Sequence, residues 1–200
     1  MKQGELFGTP QDLPRGMVYA LEFITADEEA ALLSEIRTLP LREAKYKQYT
    51  AKRRIVSYGG TYDFSSNELI PAGPIPAFLH PLREHIAEWI AVPASLFTHA
   101  LIAEYTTGTQ LGWHRDVPEF DVIVGVSLGA ACRMRLRPYP PKKGRSVETL
   151  SLNLEPRSAY AMRGEARWGW QHSIPPTKAT RYSITFRTRS EPKRRPERNG

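Results

Sequence analysis

Cysteine is nearly absent from this chain. One residue in 200, Cys132, carries a thiol, which excludes an internal disulfide framework and any zinc site built on paired thiolates. Long apolar runs are missing as well. The longest, such as Val122–Val126, have the length of a strand, so no stretch predicts a membrane span. The opening segment MKQGELFGTPQDLPRG lacks the apolar core of a secretory leader. Together these absences predict a reducing, cytoplasmic location.

Acidic residues are scarce in particular places. The tract 42–54 holds six cations and one anion, 133–145 holds six cations and no anion, and 188–200 holds five cations and two anions. The three tracts carry +14 against +7 for the whole chain, so the remainder carries −7. Clustered charge of this kind fits a polyanionic partner such as nucleic acid, and equally a solvated basic surface with a disordered tail. The 40% of hydrophobic residues suffice for one domain core.

Residues 1–16 read as a loose arm. Thr25 with Glu28 forms a capping box, and Leu32, Leu33 and Ile36 give the apolar stripe of a helix that Pro40 stops. A second helix is predicted over Ile75–Ile90, with Phe78, Leu82, Ile86 and Trp89 on one face. Between them, 41–75 is polar, aromatic and basic, with a turn at Gly59-Gly60. Beyond Pro93 six short strands are predicted: Ala100–Tyr105, Val122–Leu128, Cys132–Leu136, Thr149–Leu154, Ala159–Met162 and Tyr182–Thr188. Their spacing suggests a sandwich or barrel.

His114 and Asp116 stand two residues apart and share a side of an extended chain. His172 completes the two-imidazole, one-carboxylate set that holds non-haem iron(II) and leaves positions open. His80 and His85 fall in the second helix and read as surface or packing residues. In Arg181–Arg187 the alternation is strict: Arg181, Ser183, Thr185 and Arg187 on one face, Tyr182, Ile184 and Phe186 on the other. Two fixed cations on a polar face suit a bound anion; a solvent-facing edge strand would carry the same pattern. Arg133, Arg135 and Arg137 alternate with Cys132, Met134 and Leu136, so one face is cationic, suited to nucleic acid or to intramolecular partners, and the other apolar.

The order Tyr105-x-x-Gly108, Trp113-His114-Arg115-Asp116, Val126–Gly129, Trp170–Pro175 and Arg181–Arg187 resembles the AlkB family of Fe(II)- and 2-oxoglutarate-dependent dioxygenases. The match runs from about 98 to 190, with weaker similarity over 50–95. The resemblance implies an α+β chain with a mainly β core, a double-stranded β-helix (jelly roll) preceded by N-terminal helices and a nucleotide-recognition lid. It implies a single domain over 1–200: helices and lid in 1–95, the catalytic core in 96–189, a basic disordered tail in 190–200. By position, His114, Asp116 and His172 match the iron ligands. Arg181 matches the arginine that clamps the distal carboxylate of 2-oxoglutarate, Arg187 the second arginine, and Tyr105 a tyrosine on the cosubstrate. Ala103 and Ser183 stand where the family carries asparagines, with Ser183 still on the cosubstrate side.

The implied reaction is oxidative demethylation of alkylated bases in DNA or RNA, with Fe(II), 2-oxoglutarate and O2, releasing succinate, CO2 and formaldehyde. Such chemistry needs a flipped or single-stranded base. Arg53, Arg54, Tyr58, Tyr62 and Phe64 interleave cations with aromatics and suit that partner, as does Arg115 between two ligands. Glu119 is a candidate for an acidic base-reading side chain found in some relatives. A monomer is expected. Two rivals stay open: an oxygenase of the same fold acting on protein or a small molecule, and a non-catalytic nucleic-acid-binding module.

Overall fold

The structure, a computed structural model, describes residues 13–46, 49–63, 66, 68–141 and 149–190. The predicted N-terminal arm up to residue 12, Phe64, residues 142–145 of the second basic tract and the tail beyond Ser190 lie outside the described residues. The chain runs β1 (Met17–Ala20), α1 (Ala26–Thr38), β2 (Arg42–Tyr46), β3 (Tyr49–Tyr58), β4 (Thr61–Asp63), β5 (Glu68–Ile70), α2 (His80–Ile90), β6 (Phe97–Tyr105), β7 (Leu111–His114), β8 (Phe120–Gly129), β9 (Cys132–Pro138), β10 (Leu150–Leu154), β11 (Ala159–Met162), α3 (Gly164–Trp168), β12 (Trp170–Ile174) and β13 (Arg181–Arg189).

A seven-stranded sheet, ordered β1-β11-β8-β13-β6-β3-β2, faces a four-stranded sheet, β10-β9-β12-β7, and β4 pairs with β5 alone. All pairings are antiparallel. This is the jelly-roll core of a double-stranded β-helix, with helices applied to one side. Among the described residues no helix is long and apolar enough to cross a membrane.

The period of two along each strand decides what lies on either side of the large sheet. One face carries Ala100, Ile102, Val124, Val126, Ile184 and Phe186, which pack with Ile36 of α1 and Leu82 and Ile86 of α2. The other face turns toward the small sheet, where Ile123, Met134, Leu136, Leu152, Leu154 and Met162 form a second core. The polar residues of β13 therefore lie between the sheets, and the apolar ones lie beneath the helices. The solvent-edge alternative for that strand is excluded, since β13 is flanked by β6 and β8.

Helix α1 begins as its sequence signals, with Thr25 and Glu28 exchanging both capping-box hydrogen bonds. The second helix is shorter than predicted. Ala77–Leu79 is a 3₁₀ turn and regular α-helix starts at His80, with Pro81 in its first turn, where a missing N–H matters least. Within 41–75, read from sequence only as polar, aromatic and basic, β2 and β3 form a hairpin that extends the main sheet, with β3 paired to β6 over Arg54–Tyr58. Gly59 ends β3 at φ +77°, where a Cβ would meet the Thr98 carbonyl, so the turn requires glycine there.

Candidate active site

Antiparallel pairing of β12 with β7 sets His172 directly opposite His114. Their rings lie 4.2 Å apart between centroids. Just past the end of β7 the chain turns and brings in Asp116, and one ligand atom from each of the three residues falls within 4.8 Å of the others. His114 Nδ1–H donates to the Gly112 carbonyl at 2.9 Å, which leaves Nε2 with its lone pair. Arg187 grips Asp116 through Nε and Nη2 at 2.9 and 2.8 Å, both on Oδ1. Oδ2 stays available, 3.8 Å from His172 Nε2.

The electrostatics suit a cation. Burial would push the Asp116 carboxyl up, but Arg187 beside it, with His172, His114 and Arg167, outweighs burial and holds it well below the usual carboxylate range. Burial pulls His114 down, and brings His172 to about 3, with His114 adding to the effect. Two neutral imidazoles and one ionised carboxylate are the donors that iron(II) takes.

Arg167, on the short α3, is 2% exposed and donates to the carbonyls of Asp116, Val117 and Phe120. It thereby fixes the turn that carries Asp116. Its sequence context, Glu165-Ala166-Arg167-Trp168, offers no sign of this. His99 likewise has no motif around it, yet it is buried against Phe120 and receives Arg187 Nη1 at 3.3 Å on its Nδ1.

Behind the triad lies a narrow chamber lined by Tyr105, Arg181, Ser183, Thr185, Tyr160 and Arg53, among others. Arg181 is 2% exposed, donates to Ser127 Oγ at 3.1 Å and lies 4.8 Å from the centre of the Tyr105 ring. Its Nε has no hydrogen-bond partner, and no carboxylate among the described residues pairs with it. A buried cation without a counter-charge is costly unless an anion comes to it. A dicarboxylate with one end on a metal at the triad and the other on Arg181 fits that vacancy of charge. Tyr160, partly buried, also lines this chamber; Gly125 makes room for it, since a Cβ there would meet the tyrosine ring at 2.5 Å.

The triad also borders a more open pocket of about 450 Å³, lined by Arg53, Tyr62, His99, Leu111, Trp113 and Phe120, among others. The predicted partner-binding residues divide here. Arg53 and Tyr62 line the pocket. Arg54 and Tyr58 do not, because alternation along β3 turns them to the helix side. Arg54 pairs with Glu104, and Tyr58 packs on the helix-side core. Arg115 also lines the pocket, with its guanidinium over the Tyr139 ring at 3.7 Å and donating to the Trp168 carbonyl at 2.8 Å. The outward arginines of β9 find intramolecular partners without charge: Arg135 donates to Ser173, Arg137 to Gln171, and both lie over Trp113. His85 stacks on Phe23 at 4.2 Å, the packing role expected of it.

A jelly roll carrying a His/Asp/His cluster and a buried arginine in one chamber defines a non-haem iron oxygenase. The chain belongs to the 2OG-Fe(II) oxygenase superfamily, whose sequence pattern matches residues 16–189, and within it the chain is AlkB-like. It is similar to an Arabidopsis thaliana "Alkylated DNA repair protein ALKBH8 homolog", 30% identical over 183 residues, covering 80% of this chain and 51% of that protein. It is also similar to the mouse "DNA oxidative demethylase ALKBH2", 31% identical over 156 residues, covering 70% and 63% respectively. The chain thus spans half to two thirds of the length of these relatives. The solved structure of OsALKBH1 shares the fold at a TM-score of 0.65 with 16% identity, covering 89% of this chain and all of that one. The superfamily's chemistry takes Fe(II), 2-oxoglutarate and O2, and this chain carries a His/Asp/His cluster that fits the metal.

Proposed function

We propose that this protein is a cytoplasmic dioxygenase that oxidatively removes alkyl groups from bases of DNA or RNA. One arrangement carries the reading: the triad and the uncompensated Arg181 share a chamber that adjoins a pocket of about 450 Å³. His114, Asp116 and His172 hold the iron. Arg181 takes the distal carboxylate of 2-oxoglutarate in a charge-assisted pair, with Tyr105 and Ser183 beside it. Arg187 keeps Asp116 ionised and oriented. When bound, iron and cosubstrate supply an oxidation in which one oxygen atom enters succinate as CO2 leaves and the other hydroxylates the N-alkyl carbon, which then departs as an aldehyde.

The chain's own part is to orient the base and exclude water. A flipped base entering the pocket meets Tyr62 and Trp113 at its walls, and the wall nearest the triad is apolar at Leu111 and Phe120. Exposed Lys52 and Arg54 on the β2–β3 hairpin give the flanking phosphates a basic surface. The relatives named for alkylated-DNA repair and DNA demethylation support this choice of substrate.

The test is 2-oxoglutarate turnover with methylated oligonucleotides, read together with loss of the methyl group by mass spectrometry. Turnover should rise with methylated DNA or RNA and vanish in His172→Ala. Stimulation by a peptide, and by no methylated nucleic acid, overturns the substrate assignment. Full activity in His172→Ala overturns the ligand assignment.

A further inference from the structure

Resting on the cosubstrate placement above, we propose that the Tyr160 hydroxyl is a further anchor for 2-oxoglutarate, donating to the carboxylate at its triad end, opposite the end held by Arg181. Tyr160 lies on β11 and lines the same narrow chamber as the triad, Tyr105 and Arg181. Its neighbours across the large sheet locate it. Tyr160 stands opposite Gly125 of β8, and Gly125 opposite Thr185 of β13. Because Gly125 has no side chain, the tyrosine ring lies across it. Its Cζ is 2.5 Å and its hydroxyl 2.6 Å from the place a Cβ would take. The phenol therefore reaches over β8 toward the inward row of β13.

That row is Arg181, Ser183, Thr185 and Arg187, all of which line the chamber. Successive inward residues of a strand are about 6.8 Å apart. The level of Tyr160, at Thr185, is thus one step from Arg187 and two from Arg181. The charges around the phenol agree with this position. Burial holds its proton well above the usual phenol range, Asp116 and then Tyr105 add to that, and Arg187 and Arg181 offset part of it. The group stays a hydrogen-bond donor throughout the working pH range.

An anion at the triad end finds few other donors. Arg187 commits Nε and Nη2 to Asp116 and Nη1 to His99. Arg53 donates to the Tyr105 hydroxyl at 3.3 Å. Ala103 has no donor, and Ser183 and Thr185 have only short hydroxyls. The Tyr160 hydroxyl itself has no hydrogen-bond partner among the described residues. A keto acid held at the triad presents its carboxylate to this end of the chamber, and the phenol meets it with a charge-assisted hydrogen bond.

2-Oxovalerate has the same carbon chain and keto-acid end as 2-oxoglutarate but no distal carboxylate, so the two ligands separate the two anchors. Binding of each to the manganese(II)-loaded full chain is measured by titration calorimetry, with displacement for the weaker ligand. Tyr160→Phe should weaken both by about tenfold. Its metal-free unfolding midpoint should stay at the wild-type value, since the hydroxyl has no partner among the described residues. Arg181→Gln should weaken 2-oxoglutarate and leave 2-oxovalerate unchanged. Unchanged affinities in Tyr160→Phe overturn the proposal. A loss confined to 2-oxoglutarate also overturns it, because the hydroxyl would then belong to the distal end. A midpoint that falls along with affinity does the same, since a merely structural tyrosine gives that result. Should the Phe variant fold poorly, Tyr160→Leu removes the same hydroxyl and decides in its place. If Arg181→Gln binds 2-oxoglutarate as tightly as wild type, the distal placement fails, while the Tyr160 result with 2-oxovalerate is decided on its own.

Discussion

Asp116 is steered from two directions by two arginines that do different work. Arg187 engages its carboxylate, and Arg167 engages the backbone carbonyls around it. Behind Arg187 stands His99, which is 5% exposed and accepts Arg187 on Nδ1. An accepting imidazole must be neutral, and burial first, then Arg187, brings His99 down to about 3. The unfolded chain protonates this histidine near the ordinary imidazole value of 6.5. Between those values the unfolded state binds the extra proton, so the stability is complete above pH 6.5 and is lost as pH falls toward 3. At pH 5 the loss amounts to about 2 kcal/mol. Urea unfolding of chelator-treated protein at pH 7.5 and 5.0 should therefore show a drop that is smaller by about that amount in His99→Phe. Equal drops in the two proteins would refute the neutral, buried histidine. Little of this was legible in sequence, because a single histidine in an apolar strand has no motif around it. The alternation of Arg181–Arg187 was legible, since its polar and apolar residues separate by parity. Arg53 and Arg54 were not separable, as both are basic and only pairing with β6 tells which faces inward.

At the scale of elements, the segments that read correctly are those whose hydrophobic pattern is uninterrupted. In α1, Thr25 and Glu28 close both capping-box bonds, and Ile36 is wholly buried against the sheet. Thr25→Ala removes the acceptor for the Glu28 N–H and should lower unfolding stability by about 1 kcal/mol, measured by chemical denaturation. An unchanged midpoint would mean the helix start is held by packing alone. Strands β7 and β12 lacked a legible signature for a physical reason. Their inward positions are occupied by His114 and His172, where an ordinary strand would place a core side chain. β3 hid in the same way: its inward row is Arg53, Ile55 and Ser57, a pocket wall and not a core, so the stretch read only as polar, aromatic and basic. Even so, all six strands predicted beyond Pro93 are present, each within three residues of its expected bounds. Close neighbours across the core also constrain single positions. Gly125→Ala forces a Cβ into the Tyr160 ring, with nearest atoms at 2.5 Å, and should destabilise by about 1–3 kcal/mol while displacing Tyr160 from the chamber wall. Loss of stability without any change in cosubstrate affinity would place Tyr160 outside the functional wall.

The molecule as a whole is two sheets whose shared interior is apolar at one end and polar at the other, and the polar end holds the triad. His172 lies on β12 inside the small sheet, while Asp116 lies in the turn that leads from β7 into β8 of the large one. A metal bound to both therefore ties the small sheet to the connection between the sheets, and its binding free energy becomes folding free energy. With ligand at a hundred times its dissociation constant, the gain is about 2.7 kcal/mol. For a domain of this size that corresponds to a rise in Tm of roughly 5–10 °C. Manganese(II), which binds the same donors without consuming 2-oxoglutarate, is a suitable probe in a thermal melt. The choice of variant matters. Asp116→Ala leaves Arg187 buried without its counter-charge, so it lowers the metal-free Tm on its own and confuses the reading. His172→Ala removes a group that is neutral in the metal-free protein. Its metal-free Tm should stay closer to wild type while the manganese-induced rise disappears. A full rise in His172→Ala would mean that the ion sits on other donors, and the assignment of this triad as the iron site would fall with it.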